Sequence, residues 1–168
     1  DDDDAFMRYS AGMPCTIPYR IAPLSLPAVE AVRRSGVDCL GHRVTPEVNQ
    51  EDGRPCRLTL RYIRRGERLL LLSHSPFAHD HAYREIGPIF VLADGGEPYA
   101  DAHRFPPEID PTTRVFRSYD ADERIVAARV GTADPDALIT ELFSEPRTAC
   151  IHVRSLTYGC YTFRIDRA

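Results

Sequence analysis

Alternating apolar and polar residues near the end of the chain predict two strands joined by a turn. The apolar positions are all odd-numbered: Ile151, Val153, Tyr161, Phe163 and Ile165. Because side chains alternate between the two faces of a strand, we expect these residues to face the core. The opposite face then carries His152, Arg154 and Cys160.

The shared parity of the two arms also predicts how they pair. The numbers of paired residues must add up to an even value, and a register that pairs Arg154 with Cys160 meets this requirement. His152 would then lie opposite Thr162 and diagonal to Cys160, at roughly 7–8 Å. This face is either a Cys/His/Arg cluster or an outer sheet face with solvated arginines, the usual arrangement of an antiparallel sheet.

Other segments predict further strands and two helices. Strands are expected at residues 16–21, 55–62, 68–74, 88–92, 114–119 and 124–130. Residues 55–62 alternate in polarity, whereas residues 68–74 are apolar on both faces and predict a central strand. Residues 97–113 contain four prolines and predict a long loop.

Both predicted helices have start signals. Ser25 is a suitable cap for a helix that ends before Gly36, and Asp134-Pro135 opens a helix that Pro146 ends. Its expected core face consists of Leu138, Ile139, Leu142 and Phe143. Because the strands follow one another without helical crossovers, we predict an α+β fold. It has a mainly antiparallel sheet of about seven strands and two flanking helices.

The length and composition are typical of one globular domain. The chain has 168 residues, of which 43% are hydrophobic. Asp1–Phe6 resembles an expression-tag remnant, so the domain is expected to span residues 7–168. No apolar run approaches the roughly 20 residues of a membrane-spanning helix. No secretory signal is visible, and we therefore expect a cytoplasmic protein without a membrane partner.

Charge and cysteine content narrow the function classes. All 21 basic residues are arginine, and the formal net charge of -4 equals the contribution of the four leading aspartates. The chain therefore has no excess of positive charge, which nucleic-acid-binding proteins typically have, and no nucleic-acid partner is expected. The absence of lysine excludes Schiff-base chemistry on lysine and a P-loop lysine. The five cysteines are widely spaced and include no C-x-x-C motif, as is typical of reduced thiols.

Two groups of residues suggest catalysis or ligand binding. A cysteine nucleophile needs a base or positive neighbours, which His152 and nearby arginines would supply to Cys160. Arginines held by a sheet can bind a carboxylate or phosphate with two hydrogen bonds. Tyr83, Arg84 and Arg154 are therefore candidates for binding a small anionic ligand. The alternatives are an inert packed cysteine and ordinary surface ion pairs.

A third group suggests a metal. His79, His81 and Glu85 form an H-x-H-x-x-x-E pattern that resembles the first metal motif of cupins, and these ligand types suit a divalent ion. The glycine that usually precedes the motif is missing, and no proper second motif follows. A solvated histidine-bearing loop is the alternative reading. The spacing leaves a fourth ligand open among His74, His103 and His152.

Four segments together resemble the bacterial domain-of-unknown-function family numbered 1203. They are Pro55-Cys56-Arg57; Gly66-Glu67 with Leu69-Leu70-Leu71-Leu72; Tyr83-Arg84 followed by Pro88-Ile89-Phe90-Val91; and Ile151-His152-Val153 with Gly159-Cys160-Tyr161. The resemblance covers roughly Met7 to the C-terminus and implies a small single-domain cytoplasmic protein, but no established reaction. The family pattern includes residues like Cys56, Arg84, His152 and Cys160. This chain departs from it by carrying paired histidines at positions 79 and 81.

These observations favour a small-molecule-binding protein with a Cys/His/Arg pocket, and they leave open whether it is an enzyme. In this hypothesis Arg84 and Arg154 hold an anionic ligand, His152 transfers a proton, and Cys160 lines the site or attacks. Cys56 would be a further neighbour. The alternatives are a non-catalytic interaction module, including a homo-oligomer, and a cupin-like metalloenzyme.

Overall fold

A computed structural model describes residues 17–168. The helices and strands are β1 Tyr19–Ala22, α1 Leu26–Ser35, β2 Glu47–Val48, β3 Arg68–His74, β4 Gly87–Leu92, β5 Arg114–Tyr119, β6 Ile125–Val130, α2 Pro135–Ser144, β7 Cys150–Ser155 and β8 Tyr161–Arg167. A short 3-10 helix, Pro111–Thr113, precedes β5. The predicted tag remnant, the predicted start of the domain at residue 7 and the first residue of the predicted first strand lie outside the described residues.

The strands form two antiparallel sheets, which confirms the predicted α+β class. One sheet has five strands in the order β1-β8-β7-β5-β6, and the other has three in the order β2-β3-β4. The hydrophobic strand β3 is central in the smaller sheet, as its pattern predicts. No helix among residues 17–168 has the length and apolar character needed to cross a membrane.

Both helices begin where their capping residues predict. The Ser25 side chain accepts a hydrogen bond from the Ala28 amide at the start of α1, and Asp134 does the same for Ala137 at the start of α2. Helix α1 stops at Gly36, which has a left-handed φ of 63° that favours glycine.

Two large hydrophobic clusters stabilise the fold, and Phe77, Tyr119 and Cys150 form a third, smaller one. The first contains the buried face of α2 and strand residues such as Phe116, Val153 and Phe163. The second contains Val29 of α1 and residues of the smaller sheet such as Leu69 and Val91. The first cluster thus lies on the larger sheet, and the second lies mainly on the smaller sheet but also contains Tyr161 of β8.

The hairpin of β7 and β8 has the predicted parity but a different register. Ile151 pairs with Ile165 and Val153 with Phe163, so His152 lies opposite Arg164 and not opposite Thr162. A register shift between Val153 and Arg154 then brings Arg154 opposite Tyr161. Because such a bulge moves later side chains to the other face, the prediction that Tyr161 shares a face with Phe163 is wrong. Tyr161 packs in the second cluster.

Residues 55–62 do not form the predicted strand. The Cys56 amide donates to the Arg61 carbonyl, the Leu60 amide donates to the Cys56 carbonyl, and Leu60 has a φ of 52°. The segment therefore turns back on itself. Leu58 packs in the second cluster and Leu60 in the first, so their shared parity reflects burial in two cores and not one strand face.

Candidate functional site

A cleft of about 580 Å³ lies between the turn at residues 55–62, strands β3 and β4 of the smaller sheet, and the turn that joins β7 to β8. We call it the arginine cleft, because Arg54, Arg57 and Arg114 line it. Its other lining residues are Glu51, Asp52, Gly53, Pro55, Tyr62, Leu71, Pro88, Phe90, Thr113, Ser155, Thr157, Tyr158, Cys160 and Thr162. The turn at residues 55–62, which replaces the predicted strand, contributes Arg57 to this wall.

Arg57 is almost completely buried, with 3% of its surface exposed. Its guanidinium donates to the backbone carbonyls of Tyr161 at 2.8 Å and Pro55 at 2.6 Å, and it lies 5.9 Å from the centre of the Phe90 ring. Burial lowers the pKa of Arg57 to about 10, so the side chain is still charged at neutral pH. The backbone bonds thus hold a buried cation in a fixed position beside the cleft.

Arg114 is also buried, with 6% of its surface exposed. One amino group donates to the Tyr62 hydroxyl at 3.0 Å, while its Nε has no hydrogen-bond partner in residues 17–168. The positive charge of Arg114 contributes to the lowering of the Arg57 pKa, because like charges repel. Within the described part of the chain, neither arginine forms an ion pair with a carboxylate.

Other lining groups give the arginine cleft both apolar and polar walls. The Arg54 guanidinium lies 5.3 Å from the centre of the Phe90 ring and pairs with Glu51 at 3.3 Å. Thr162 is 1% exposed, and its hydroxyl has no partner among the described residues. Buried polar groups are normally hydrogen-bonded. The Thr162 hydroxyl is therefore a second unsatisfied group in the lining of the cleft, in addition to the Arg114 Nε.

A smaller cavity of about 140 Å³ adjoins the arginine cleft, and Pro88, Tyr158 and Cys160 line both. In this second cavity Glu85 contacts two arginines: it accepts from Arg117 at 2.8 Å and from Arg154. The carboxylate of Glu85 therefore compensates the positive charges on this side, whereas Arg57 and Arg114 have no ion-pair partner among residues 17–168.

His152 lies in a buried aromatic cluster. It is 2% exposed, and its ring centre is 5.2 Å from Phe77, 4.5 Å from Tyr119 and 5.3 Å from Tyr161. Neither ring nitrogen has a hydrogen-bond partner among residues 17–168. Burial, with further contributions from Arg164 and Arg154, lowers the pKa of His152 to about 3. His152 is therefore neutral at pH 7, and it is not among the lining residues of either cavity.

The other predicted site residues are separated in the structure. Cys160 lines both cavities and Arg154 lines the smaller one. Cys56 is fully buried, and its sulfur accepts a hydrogen bond from the Leu92 amide at 3.4 Å. Tyr83 is exposed. Arg84 pairs with Asp80 at 3.2 Å and lines neither cavity.

The predicted metal ligands do not converge. Glu85 is directed to Arg117 and Arg154. His79 and His81 instead contact one oxygen of Glu123, at 3.2 and 3.1 Å. The part of the chain that the structure describes contains no group of three or more histidine, cysteine or acidic side chains placed to hold a metal ion.

The sequence patterns do not predict Arg54, Arg57 and Arg114 as site residues. No local signal separates Arg57 from the other arginines, because its burial depends on Tyr161, which is 104 residues away in the sequence. Arg114 likewise donates a hydrogen bond to Tyr62, 52 residues away in the sequence. The local pattern contained one hint, since Arg57 adjoins Cys56 in one of the segments that resemble family 1203.

Comparison with known proteins identifies a family but no function. Residues 53–167 match the family model described as "Protein of unknown function (DUF1203)". No curated protein and no solved structure matches the chain. The matched range includes all three arginines of the cleft and Cys160, and it begins after α1.

Proposed function

The chain belongs to the DUF1203 family, and we propose that it binds a small organic anion in the arginine cleft. The observation that carries this proposal is the presence of two buried arginines, Arg57 and Arg114, without a carboxylate partner among the described residues. An unpaired buried charge is costly, and buried charges are therefore normally paired. A bound anion would supply the missing negative charge.

The chemistry of the cleft defines the class of ligand. Guanidinium groups bind carboxylates and phosphates through directed hydrogen bonds. Phe90, Leu71 and Tyr62 add apolar surface to the same walls. The volume of about 580 Å³ is in the usual range for small-molecule sites. The preferred ligand therefore has one anionic end and a flat or apolar body.

A calorimetric titration with benzoate tests this proposal, with benzamide as the neutral control of the same shape. We expect saturable binding of benzoate and none of benzamide. Replacing Arg114 with methionine (Arg114→Met) should weaken benzoate binding about tenfold or more, because a hydrogen bond to a charged group contributes roughly 1.5–3 kcal/mol. Equal binding of benzoate and benzamide, or no binding of benzoate, would contradict the proposal.

Arg68→Met is the matched control variant. Arg68 is half exposed, pairs with Asp94 at 3.0 Å and does not line the arginine cleft. This variant makes the same chemical change at the surface, and benzoate binding should be unchanged. An equal loss of binding in both variants would show that the effect is one of net charge and not of the cleft.

The other functional hypotheses have weaker support. The interaction module, the homo-oligomer and the cytoplasmic location remain predictions, and native mass spectrometry of the same samples would report the oligomeric state. The cupin-like hypothesis loses its proposed ligand Glu85, which is bound to arginines. Proton transfer by His152 is disfavoured by its burial and by its neutral state.

A further inference from the structure

We propose that Cys160 is a reactive thiol that forms a covalent bond with a small carboxylate carrying an electrophilic carbon. This inference rests on the proposed anion site, because the arginines of the cleft would orient the carboxylate. It goes further by assigning a reacting atom, the Cys160 sulfur, and a chemical class of partner.

The position of Cys160 distinguishes it from the other cysteines of the larger sheet and the turned segment. It is partly exposed and lines both cavities, whereas Cys56 and Cys150 are 0% and 3% exposed. It immediately precedes β8 and follows Gly159, whose φ of 71° favours glycine. The Arg154 guanidinium donates to the Gly159 carbonyl at 2.9 Å, which fixes the turn that presents the sulfur.

Two buried cations share the cleft with Cys160, since Arg57 and Arg114 both line it. A thiolate is the nucleophilic form of cysteine, and positive neighbours stabilise it. Arg57 is also held by backbone carbonyls and not by a carboxylate, so its charge is available to the sulfur and to a ligand.

Unsatisfied buried groups provide independent evidence for a ligand beside Cys160. Thr162 follows Cys160 by two residues, and its buried hydroxyl has no partner within the described residues. The Arg114 Nε is also without a partner there. Both residues line the same cleft as Cys160. A carboxylate in the cleft would offer acceptors to these donors while its reactive carbon lies at the sulfur.

The reaction balances without an oxidant or reductant. With an α,β-unsaturated carboxylate, the thiolate sulfur bonds to the β-carbon and the π-electron pair moves to the α-carbon, which takes up the proton that the thiol released. With a haloacetate, the sulfur–carbon bond forms as the carbon–halogen bond breaks, and the halide leaves. Both reactions produce a thioether.

Alkylation of the folded protein with iodoacetate and iodoacetamide tests the proposal, because the two reagents differ chiefly in charge. Cleavage after arginine places Cys160 in the peptide 155–164 and Cys39 in the peptide 35–43. Mass spectrometry then gives the rate at each cysteine. Cys39 is exposed, lines neither of the two cavities and serves as the internal control. The ratio of the iodoacetate rate to the iodoacetamide rate should be about tenfold higher at Cys160 than at Cys39.

Two further measurements separate this inference from the proposed function. Saturating benzoate should slow iodoacetate at Cys160 and not at Cys39, a test that needs no variant. Arg114→Met should lower the charge preference at Cys160, whereas Arg68→Met should not. Benzoate binding without any preference of Cys160 for iodoacetate would overturn the reactive thiol and leave the anion site intact. Absence of both would overturn both proposals.

Discussion

The two neighbouring cavities treat buried arginine in opposite ways. On one side Glu85 accepts hydrogen bonds from Arg117 and Arg154, so the fold itself supplies the compensating carboxylate. On the other side Arg57 and Arg114 are 3% and 6% exposed and have only carbonyl or hydroxyl partners among the described residues. We therefore assign the first arrangement to the stability of the fold, and we propose that an external anion compensates the second.

The largest effect on stability is expected from Glu85→Gln. This substitution removes the carboxylate that pairs with Arg117 and Arg154, so these arginines then lack an ion-pair partner, as Arg57 and Arg114 do. The change leaves Arg154, which is 8% exposed, without its carboxylate. Breaking a fully buried pair costs roughly 3–5 kcal/mol. Because Glu85 is 42% exposed, solvent screening makes the cost of breaking this pair smaller. We therefore expect the free energy of unfolding to fall by about 2 kcal/mol, measured by urea denaturation.

Glu141→Gln is the control for that measurement. Glu141 pairs with Arg129 at 3.0 Å, and both side chains are about half exposed. Exposed pairs contribute roughly 0.2–1 kcal/mol, so the free energy of unfolding should fall much less in this variant than in Glu85→Gln. Equal losses in the two variants would remove the structural role that we assign to Glu85.

An intermediate effect on stability is expected from a change in pH, because folding keeps His152 neutral. Burial disfavours its charged form, and so do the nearby positive charges of Arg164 and Arg154. Its folded pKa of about 3 is below its ordinary value of 6.5. Stability is therefore full above pH 6.5 and is lost as the pH falls towards 3, since only the unfolded state takes up the proton. The loss should be about 1–2 kcal/mol at pH 5.5.

The His152 prediction can be measured in two ways. The NMR signal of the imidazole carbon-bound proton should not titrate between pH 8 and 5. His152→Phe, which keeps an aromatic ring in the cluster, should remove this part of the acid-dependent loss of stability. A titration midpoint near 6.5 would show that His152 is accessible to protons and would restore it as a candidate acid or base.

The smallest effect on stability is expected from Arg114→Met, although its effect on anion binding is large. The substitution removes a buried charge that has no ion-pair partner among the described residues, and it removes one hydrogen bond to Tyr62; these two effects oppose each other. Replacing buried charges with apolar residues is often neutral or stabilising. We expect a change of less than about 1 kcal/mol in the free energy of unfolding. A loss as large as that of Glu85→Gln would show that Arg114 is paired within the fold.

Local signals predicted the helices and most strands but not the site. Ser25 and Asp134 act on amides three residues away, so the sequence alone reveals the caps. The sequence alternation also predicts the parity of β7 and β8. It does not predict the bulge before Arg154, because the bulge depends on how the hairpin packs. As a result of the bulge, Tyr161 packs in the second cluster.

The arginine cleft could not be predicted because its parts come from distant segments. Arg57 and Tyr161 are far apart in the sequence, and the backbone turn at Leu60 disrupts the strand that the alternation predicts. The sequence predicts Cys160 and Arg154 as site residues; both line cavities, and their roles stay predictions. The grouping with Arg84 was not reproduced, since the partner of Arg84 is the local Asp80.

We propose that an external anion compensates the buried charges of the arginine cleft. NMR can follow the side-chain Nε–H resonances of the arginines during the benzoate titration and thereby test this directly. Saturable shifts are expected at Arg57 and Arg114, with no comparable shift at Arg68 and no response to benzamide. Shifts of similar size at all three arginines, or none at Arg57 and Arg114, would contradict it.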